Sequence, residues 1–345
     1  MLRALSRTQA IILAALLALA CLWSATLSPP VSEAKPEADY SDIKLYHDIA
    51  ERVAAGENYY VAATALQRAH HFPTTPFVTV REPTLITLAV AFGWQSLHAM
   101  LAVLLFGGAL LWYRQLASKA APAEAIGTVL AVLAGGAMVS QADLVAQYEL
   151  WAGVLLTMAL LLRGGKHWPW ALAAAAAALA IRELALPFAL LALVFALFER
   201  RQNEAIGWAL LIALFALAMW FHASAVNAAV LPGDPPSQGW NAMRGAGAVL
   251  QDIVDTSLLN QLPRPFATPL ALLALLGWAA VPLKQARFAL LWFLGYGLML
   301  ALFARGQNFY WAIVLLPAWF IGFAFLPRAL SDLSHAMLAR RQAAL

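Results

Sequence analysis

Long apolar runs, most of them near the length that crosses a bilayer as a helix, dominate this sequence of 345 residues. Only 12% of the residues are charged and 63% are hydrophobic, whereas soluble domains have about 25% and about 45–50%. This pattern predicts an all-α polytopic membrane protein. It excludes an ordinary soluble enzyme, a disordered chain and a nucleic-acid-binding domain. The runs cover roughly 8–27, 85–113, 123–140, 148–162, 168–198, 205–223, 268–283, 288–304 and 308–326.

The run 168–198 is too long for a single crossing, because about 1.5 Å per residue gives it a length of about 46 Å. Arg182 and Glu183 interrupt it near the middle, Lys166 precedes it and Arg200 follows it. One crossing would place one basic flank outside, whereas two short helices that turn at 182–183 place both flanks inside. We therefore predict about ten transmembrane helices, with both termini cytoplasmic.

The charges support this topology. The predicted inner segments carry 13 of the 22 basic residues and only four of the 18 acidic ones. The inner side then has a net charge of +9 and the outer side −5, in agreement with the formal net charge of +4 and with the positive-inside rule. The first run follows Arg3 and Arg7 and ends at a Ser-Pro-Pro sequence, which is typical of a retained anchor rather than a cleaved signal.

Two large outer loops, 28–83 and 224–267, interrupt what is otherwise a single transmembrane domain covering 1–345. Because the inner connections are short and basic, we expect function to lie on the outer face. A helix near 241–260 is expected to lie at the interface and cover the site. Its predicted apolar face comprises Met243, Leu250, Ile253, Val254 and Leu258, whereas Arg244, Gln251, Asp252 and Asp255 are predicted to face away.

A helix from residue 42 to 56 is predicted at the start of the first outer loop. At 100° per residue, Asp42, Tyr46, Ile49 and Val53 share one stripe, which would lie against the membrane or the helix bundle. Two roles remain open for Asp42. It caps the helix, as Ser41 also would, or it acts as a general base at the lip of a cavity.

The rest of this loop carries further polar candidates. Tyr60 begins a second short helix that ends near His70 and His71, and the imidazoles suit a metal or a phosphate. Adjacent histidines point to different helix faces, so a joint metal site is not expected. Arg81 and Glu82 directly precede the second span, where they either pair at the interface or border a polar cavity.

The order of these motifs resembles the integral-membrane glycosyltransferases of the GT-C superfamily, especially bacterial members that use polyprenyl-phosphate sugars. It consists of an anchor helix, a long outer loop opening on an Asp-bearing amphipathic helix, a Gly-x-x-Tyr-Tyr sequence and an extended Pro-containing segment. Three further segments fit the same pattern: Ala180-Ile-Arg-Glu-Leu-Ala-Leu-Pro187, Tyr148-Glu-Leu-Trp-Ala-Gly153 after the turn that holds Asp143, and Arg305-Gly-Gln-Asn-Phe-Tyr-Trp311.

The resemblance implies that Asp42 is the catalytic base. Beside it there is no paired Asp-x-Asp or Asp-Glu sequence, so no metal ligand is assigned and a divalent cation remains an open possibility. Guanidinium groups suit a lipid phosphate. The phosphate-binding candidates are Arg305, Arg182, Arg81 and His71. The cavity-lining candidates are Glu82, Glu183, Tyr46, Tyr60, Asp143, Glu149 and Asn308.

Simpler roles are also open for the arginines, since Arg182 and Glu183 would form an ion pair that closes a turn and Arg305 would snorkel to the interface.

The sequence contains no P-loop, no Cys/His metal spacing, no G-x-S-x-G and no H-E-x-x-H. We therefore predict an inverting glycosyltransferase on the outer face of a bacterial inner membrane. Its partners would be the bilayer, a polyprenyl-phosphate-linked sugar, and a glycan, lipid or protein acceptor, with no nucleic acid. The alternative is a phosphate-lipid or glycan transporter or flippase without catalysis.

Overall fold

The structure, a computed structural model, describes residues 2–27 and 40–338. Within these ranges the chain is helical and has no β-strand, and the pairing of Thr75 with Pro236 is an isolated bridge. The all-α prediction is therefore confirmed. Residues 28–39 of the first outer loop, and the basic residues Arg340 and Arg341 of the charge count, lie outside the described residues.

The helices are numbered here in chain order. The described α-helices are α1 (Arg7–Ala25), α2 (Asp42–Ala54), α3 (Tyr59–Ala69), α4 (Thr84–Phe92), α5 (Trp94–Leu116), α6 (Pro122–Gly135), α7 (Tyr148–Leu162), α8 (Trp168–Ile181), α9 (Leu186–Phe198), α10 (Gln202–Ala229), α11 (Gly245–Asp255), α12 (Arg264–Trp278), α13 (Gln285–Phe303), α14 (Leu316–Trp319) and α15 (Ile321–Leu338). The 3₁₀ segments are Leu2–Ala4, Phe77–Thr79, Ala137–Ser140, Ala142–Ala146, Glu183–Ala185, Leu258–Gln261 and Gly306–Leu315.

Several helices have the length and composition of membrane spans. In the described part of the chain, α1, α5, α10 and α13 are long and apolar enough to cross a bilayer. A bent pair, Gly306–Trp319 with Ile321–Leu338, would add a fifth span. Other apolar helices, among them α6, α7 and α8, have only 10–17 residues. Helices long and apolar enough to cross a membrane are therefore present in the described chain. The ten crossings with cytoplasmic termini stay a prediction.

The long run 168–198 is divided into two helices at Arg182 and Glu183, as the sequence predicted. Helix α8 ends at Ile181, and Arg182 adopts an extended backbone with φ −149° and ψ 114°. A single 3₁₀ turn, Glu183–Ala185, leads into α9, whose second residue is Pro187. Proline fits the first turn of a helix but not its interior, so the chain restarts a helix here rather than continuing α8.

Two other runs do not form the straight single helices that they predict. The run 85–113 is broken at Gly93, whose φ of +79° lies in the left-handed region, so that α4 and α5 are separate helices. The run 308–326 begins as a 3₁₀ segment and bends by 61° before α15. In both places the apolar pattern continues through the break, so hydrophobicity alone does not reveal it.

The chain folds into two compact units. The first comprises residues 2–27, 106–137 and 242–338, and the second comprises residues 40–105 and 138–241. Each unit is described by itself below.

Close helix packing characterises the first unit. Helices α12 and α15 approach so closely that a Cβ on Gly277 would lie 1.8 Å from the carbonyl oxygen of Gly322. A Cβ on Gly322 would lie 2.0 Å from the carbonyl oxygen of Ala274. Small residues at such crossings let the helix backbones meet, as is common in membrane proteins.

Helix α11 of the first unit corrects one prediction. It runs from Gly245 to Asp255, shorter than the expected 241–260, and its buried face includes Gln251 and Asp252. Met243, expected on the apolar face, is 71% exposed. Asp252 can be buried because it forms an ion pair, in which Arg244 donates to both of its carboxylate oxygens at 2.8 and 2.9 Å.

In the second unit, a polar latch joins the segment after α3 to the segment after α10. The guanidinium of Arg68 donates to both carboxylate oxygens of Asp234, and the Thr74 hydroxyl donates to the same carboxylate. Backbone bonds reinforce it, from Thr74 N to the Pro235 oxygen at 3.0 Å and from Ser237 N to the Thr75 oxygen at 2.7 Å. Two stretches about 160 residues apart are thereby held together.

Candidate functional site

Helix α2 presents Asp42 at its first turn. Ser41 caps the helix by accepting a hydrogen bond from the Lys44 backbone N–H, so the capping role falls to Ser41. Asp42 is half-buried and begins the helix, and Tyr46, one turn further on, is buried on the same face. The predicted stripe is confirmed at Tyr46 and Ile49, which are both buried. Asp42 therefore stands at the edge of the surface that α2 packs against its neighbours.

Tyrosine hydroxyls hold Arg81 in place. Arg81 Nε donates to the Tyr46 hydroxyl at 3.2 Å, and the Tyr59 hydroxyl donates to the Arg81 backbone carbonyl at 2.6 Å. Asn58 caps α3 through its side-chain oxygen, which fixes Tyr59 as the first residue of that helix. The ring of Tyr46 also meets that of Tyr148 edge to face, with 4.9 Å between centroids.

The buried centre of the site is Arg182, which is fully inaccessible to solvent. Its Nε donates to Glu149 Oε1 at 2.7 Å, and its Nη1 donates to Glu183. Gln147 donates to the second oxygen of Glu149 at 2.6 Å. The extended backbone at Arg182 turns its side chain toward the first turn of α7, a helix that is buried along nearly its whole length. The expected Arg182–Glu183 ion pair is therefore present, and it includes a second carboxylate.

Arg81 approaches the same carboxylates more loosely. Its Nη1 lies 4.0 Å from Glu183 Oε1, at the limit of an ion pair, and its side chain is 13% exposed. Arg182 is fully buried against two carboxylates, whereas the Arg81 side chain keeps a small exposed fraction. Of the two arginines, Arg81 is the better placed to meet an incoming anion.

Glu82 has an unusual environment for a carboxyl group. It is 7% exposed, and neither of its oxygens accepts a hydrogen bond from the described residues. The anticipated pairing with Arg81 at the interface is not formed. Burial, and after it the negative charge of Glu183, raises the pKa of Glu82 well above its usual range, although Arg182 and Arg81 oppose this shift.

Tyr60 connects the cluster to α10. Its hydroxyl lies 3.3 Å from His222 Nδ1, and His222 Nε2 lies 3.0 Å from the carbonyl oxygen of Val80. The sequence analysis did not select His222 or Tyr59. For His222, the signal available in the sequence was a histidine within a long apolar helix. Tyr59 directly precedes Tyr60, which was predicted to line the cavity.

The structure thus brings together most of the predicted residues of the second unit. The cluster, called the Arg–Glu–Tyr cluster below, comprises Tyr46, Tyr59, Tyr60, Arg81, Glu82, Tyr148, Glu149, Arg182 and Glu183. Asp42 lies on α2, one helical turn before Tyr46 of the cluster. Asp143 is exposed in the segment Ala142–Ala146, and His71 is exposed at a left-handed turn after α3, with φ of 59°. In the described ranges, no hydrogen bond or ion pair joins Asp143 or His71 to the cluster.

Arg305 and Asn308 belong to the first unit. The Asn308 side chain accepts a hydrogen bond from the Arg305 backbone N–H at 3.2 Å, and Arg244 donates to the Arg305 carbonyl at 3.1 Å. The half-buried Arg305 side chain thus stands on a fixed backbone. Across residues 2–27 and 40–338, no group of three or more His, Cys, Asp or Glu side chains is arranged to hold a metal ion.

Comparisons with known proteins do not place this chain in a family. No protein-family model matches it. Searches of curated proteins and of solved structures also gave no match. The assignment of a function therefore depends on the geometry of the Arg–Glu–Tyr cluster and on the sequence resemblance.

Proposed function

We propose that this chain is a membrane glycosyltransferase of the GT-C kind, which transfers a sugar from a polyprenyl-phosphate donor to a glycan, lipid or protein acceptor. The observation that carries the proposal is the Arg–Glu–Tyr cluster, with Asp42 one helical turn before its Tyr46. Buried ionisable groups are costly in an apolar protein and mark a functional site by default. The cluster holds two guanidiniums and three carboxyls in a chain of which only 12% is charged.

Asp42 is the proposed general base. Its carboxylate stands in the first turn of α2, one helical turn before the buried Tyr46. The hydroxyl of the acceptor would give its proton to Asp42 as its oxygen bonds to the anomeric carbon. The bond from that carbon to the phosphate oxygen would break, the lipid phosphate would leave with the electron pair, and the configuration of the sugar would invert.

Arg81 is the proposed partner of the departing phosphate. Its side chain is less completely buried than that of Arg182, and the Tyr46 hydroxyl accepts a hydrogen bond from its Nε. Arg182 would act by holding Glu149 and Glu183 rather than by touching the substrate, since both carboxylates already engage it.

The proposed location is the outer face of a bacterial inner membrane. Under the topology predicted from the charge distribution, loop 28–83 and the turn at 182–183 lie on the outer side. All residues of the Arg–Glu–Tyr cluster come from outer segments of that topology or from the helix ends beside them. A polyprenyl-phosphate sugar would present its phosphate at the outer boundary of the membrane, between its lipid tail and the aqueous acceptor.

A transporter or flippase for a phosphate lipid is the second candidate, and one observation favours it. Glu82 is a buried carboxyl without a hydrogen-bond partner among the described residues, and such groups serve as proton carriers in membrane transporters. In this case reconstituted protein would move the phosphate lipid across a vesicle membrane without releasing sugar. Sugar release is therefore the measurement that separates the two functions.

The test compares two carboxylates of the same helix. Purified protein is incubated with a defined polyprenyl-phosphate sugar and a panel of acceptors, and the released lipid phosphate is measured. We expect Asp42→Asn to reduce release by about 10²–10⁴-fold, the range of a general base, with donor binding retained. The control is Glu51→Gln, an exposed carboxylate further along α2, which should leave release unchanged. Full activity of Asp42→Asn would remove Asp42 as the base.

A further inference from the structure

Several buried side-chain polar atoms of the second unit lack a hydrogen-bond partner in the described chain, and in two residues this holds for every polar side-chain atom. They are Glu82, through both carboxyl oxygens, and Tyr148, through its hydroxyl. Glu82 is 7% exposed and Tyr148 is 1% exposed. Buried polar groups almost always find a partner, so two such groups in one unit indicate a place where a ligand supplies the missing bonds.

These two groups and Arg81 converge on one region. Tyr46 links Arg81 to Tyr148, because its hydroxyl accepts from Arg81 Nε at 3.2 Å and its ring meets that of Tyr148 with 4.9 Å between centroids. Glu82 directly follows Arg81 in the chain. The bonds to Tyr46 and Tyr59 fix Arg81. A carboxyl, a phenol and a guanidinium therefore belong to one connected set of side chains, of which Arg81 is 13% exposed.

The protonation state of Glu82 decides what this region binds. Ionised, it would repel an anion, whereas the neutral acid has a hydroxyl to donate. Its pKa is raised, first by burial and then by Glu183, and the arginines do not cancel this shift. The ionisable groups that act on it or respond to it are Glu183 and Arg182 from the break between α8 and α9, Tyr59 and Tyr60 from α3, Tyr148 from α7, and its neighbour Arg81.

We propose that Glu82, Tyr148 and Arg81 form a phosphate-binding subsite in which Glu82 binds as the neutral acid and donates its proton in a hydrogen bond to a phosphate oxygen. Tyr148 donates a second hydrogen bond, and Arg81 supplies the positive charge. A carboxylic acid that an apolar site keeps neutral is an effective donor to an oxyanion. The subsite rests on the proposed function for its ligand, a lipid-linked phosphate diester. Free phosphate presents the same oxygens.

The experiment measures binding as a function of pH. The probe is a polyprenyl-phosphate sugar, whose diester keeps one charge across the neutral and alkaline range, titrated calorimetrically into the full-length protein in detergent. Above the pKa of Glu82, we expect the affinity of the wild-type protein to fall about tenfold per pH unit, because each bound ligand requires one proton. Glu82→Gln, a neutral isostere, should keep the low-pH affinity throughout and give a flat profile.

A second variant and a spectroscopic signal keep the test independent of how Glu82→Gln folds. Tyr148→Phe should weaken binding several-fold without changing the pH slope, whereas Tyr113→Phe, at an exposed tyrosine of α5, should change nothing. In the wild-type protein, the infrared carbonyl band of a protonated carboxyl should disappear at the pH where binding weakens. A wild-type profile that is flat, or that Glu82→Gln reproduces, would overturn the subsite.

Inorganic phosphate, the second probe, separates this inference from the proposed function. Binding of the lipid diester without any dependence on Glu82 overturns the subsite and leaves the glycosyltransferase proposal standing. Glu82-dependent binding of inorganic phosphate alone supports the subsite and removes the lipid donor. If neither the lipid diester nor inorganic phosphate binds, both proposals are overturned.

Discussion

Replacing Arg182 by leucine tests the buried charges on which the candidate site is built. The guanidinium has no solvent exposure and donates to both Glu149 and Glu183, whose side chains are 2% and 21% exposed. Removing it leaves two carboxylates close together in an apolar surrounding. Breaking a buried ion pair costs about 3–5 kcal/mol. We expect Arg182→Leu to lower the free energy of unfolding by that amount, or about 10²–10⁴-fold in the folding equilibrium.

The measurement is reversible unfolding of the purified protein in mixed micelles. A second substitution, Glu149→Gln, in the Arg182→Leu background removes one of the stranded charges, and Arg81 remains near Glu183. The double variant should therefore regain about 1–3 kcal/mol relative to Arg182→Leu, since neighbouring groups are coupled. Arg114→Leu, at an exposed position near the end of α5, should stay within about 0.5 kcal/mol of the wild-type protein. A loss below about 1 kcal/mol for Arg182→Leu, or strict additivity of the pair, would refute the reasoning.

Two further predictions concern the framework around the site. In the latch of the second unit, hydrogen bonds led by those from Arg68 lower the pKa of Asp234 to about 2. The ionised Asp234 therefore contributes fully to the stability of the folded protein above the ordinary aspartate pKa of about 3.9. This contribution is lost as the pH falls toward about 2. Thermal unfolding of Arg68→Ala should show a lower midpoint near neutral pH and a weaker dependence on pH in that window; an unchanged dependence would exclude the latch. In the first unit, Gly277→Ala places a Cβ 1.8 Å from the Gly322 carbonyl oxygen, so it should cost about 1–3 kcal/mol or more. Gly295→Ala, where a Cβ meets nothing within 4 Å, should be neutral or slightly stabilising; equal effects of the two alanines would contradict the close crossing of α12 and α15.

The sequence predicted those features that depend on neighbouring residues. The division of the run 168–198 followed from its length and from one charged pair, and the buried face of α2 followed from helical periodicity. The break at Gly93 was not predicted, because glycine also occurs inside membrane helices and the apolar pattern continues across it. The burial of Asp252 was not predicted either, since periodicity does not reveal that Arg244 folds back over it.

The contents of the site were harder to predict because its partners are distant in the chain. Arg182 meets Glu149, 33 residues away, and Tyr60 meets His222, 162 residues away. The sequence identified Arg182 as a phosphate-binding candidate and Glu149, Glu82 and Tyr46 as cavity-lining candidates. It did not indicate that Arg182 would be enclosed by carboxylates or that Glu82 would be without a hydrogen-bond partner.

The central claim is that the Arg–Glu–Tyr cluster serves sugar transfer from a lipid phosphate. The most direct measurement follows a polyprenyl-phosphate sugar, radiolabelled in the sugar, with purified protein and a panel of glycan, lipid and protein acceptors. We predict equal amounts of transferred sugar and released lipid phosphate, with an inverted anomeric centre in the product and loss of both signals in Asp42→Asn. Reconstituted protein that moves the intact lipid across the membrane, with no sugar released from any donor, would contradict the claim.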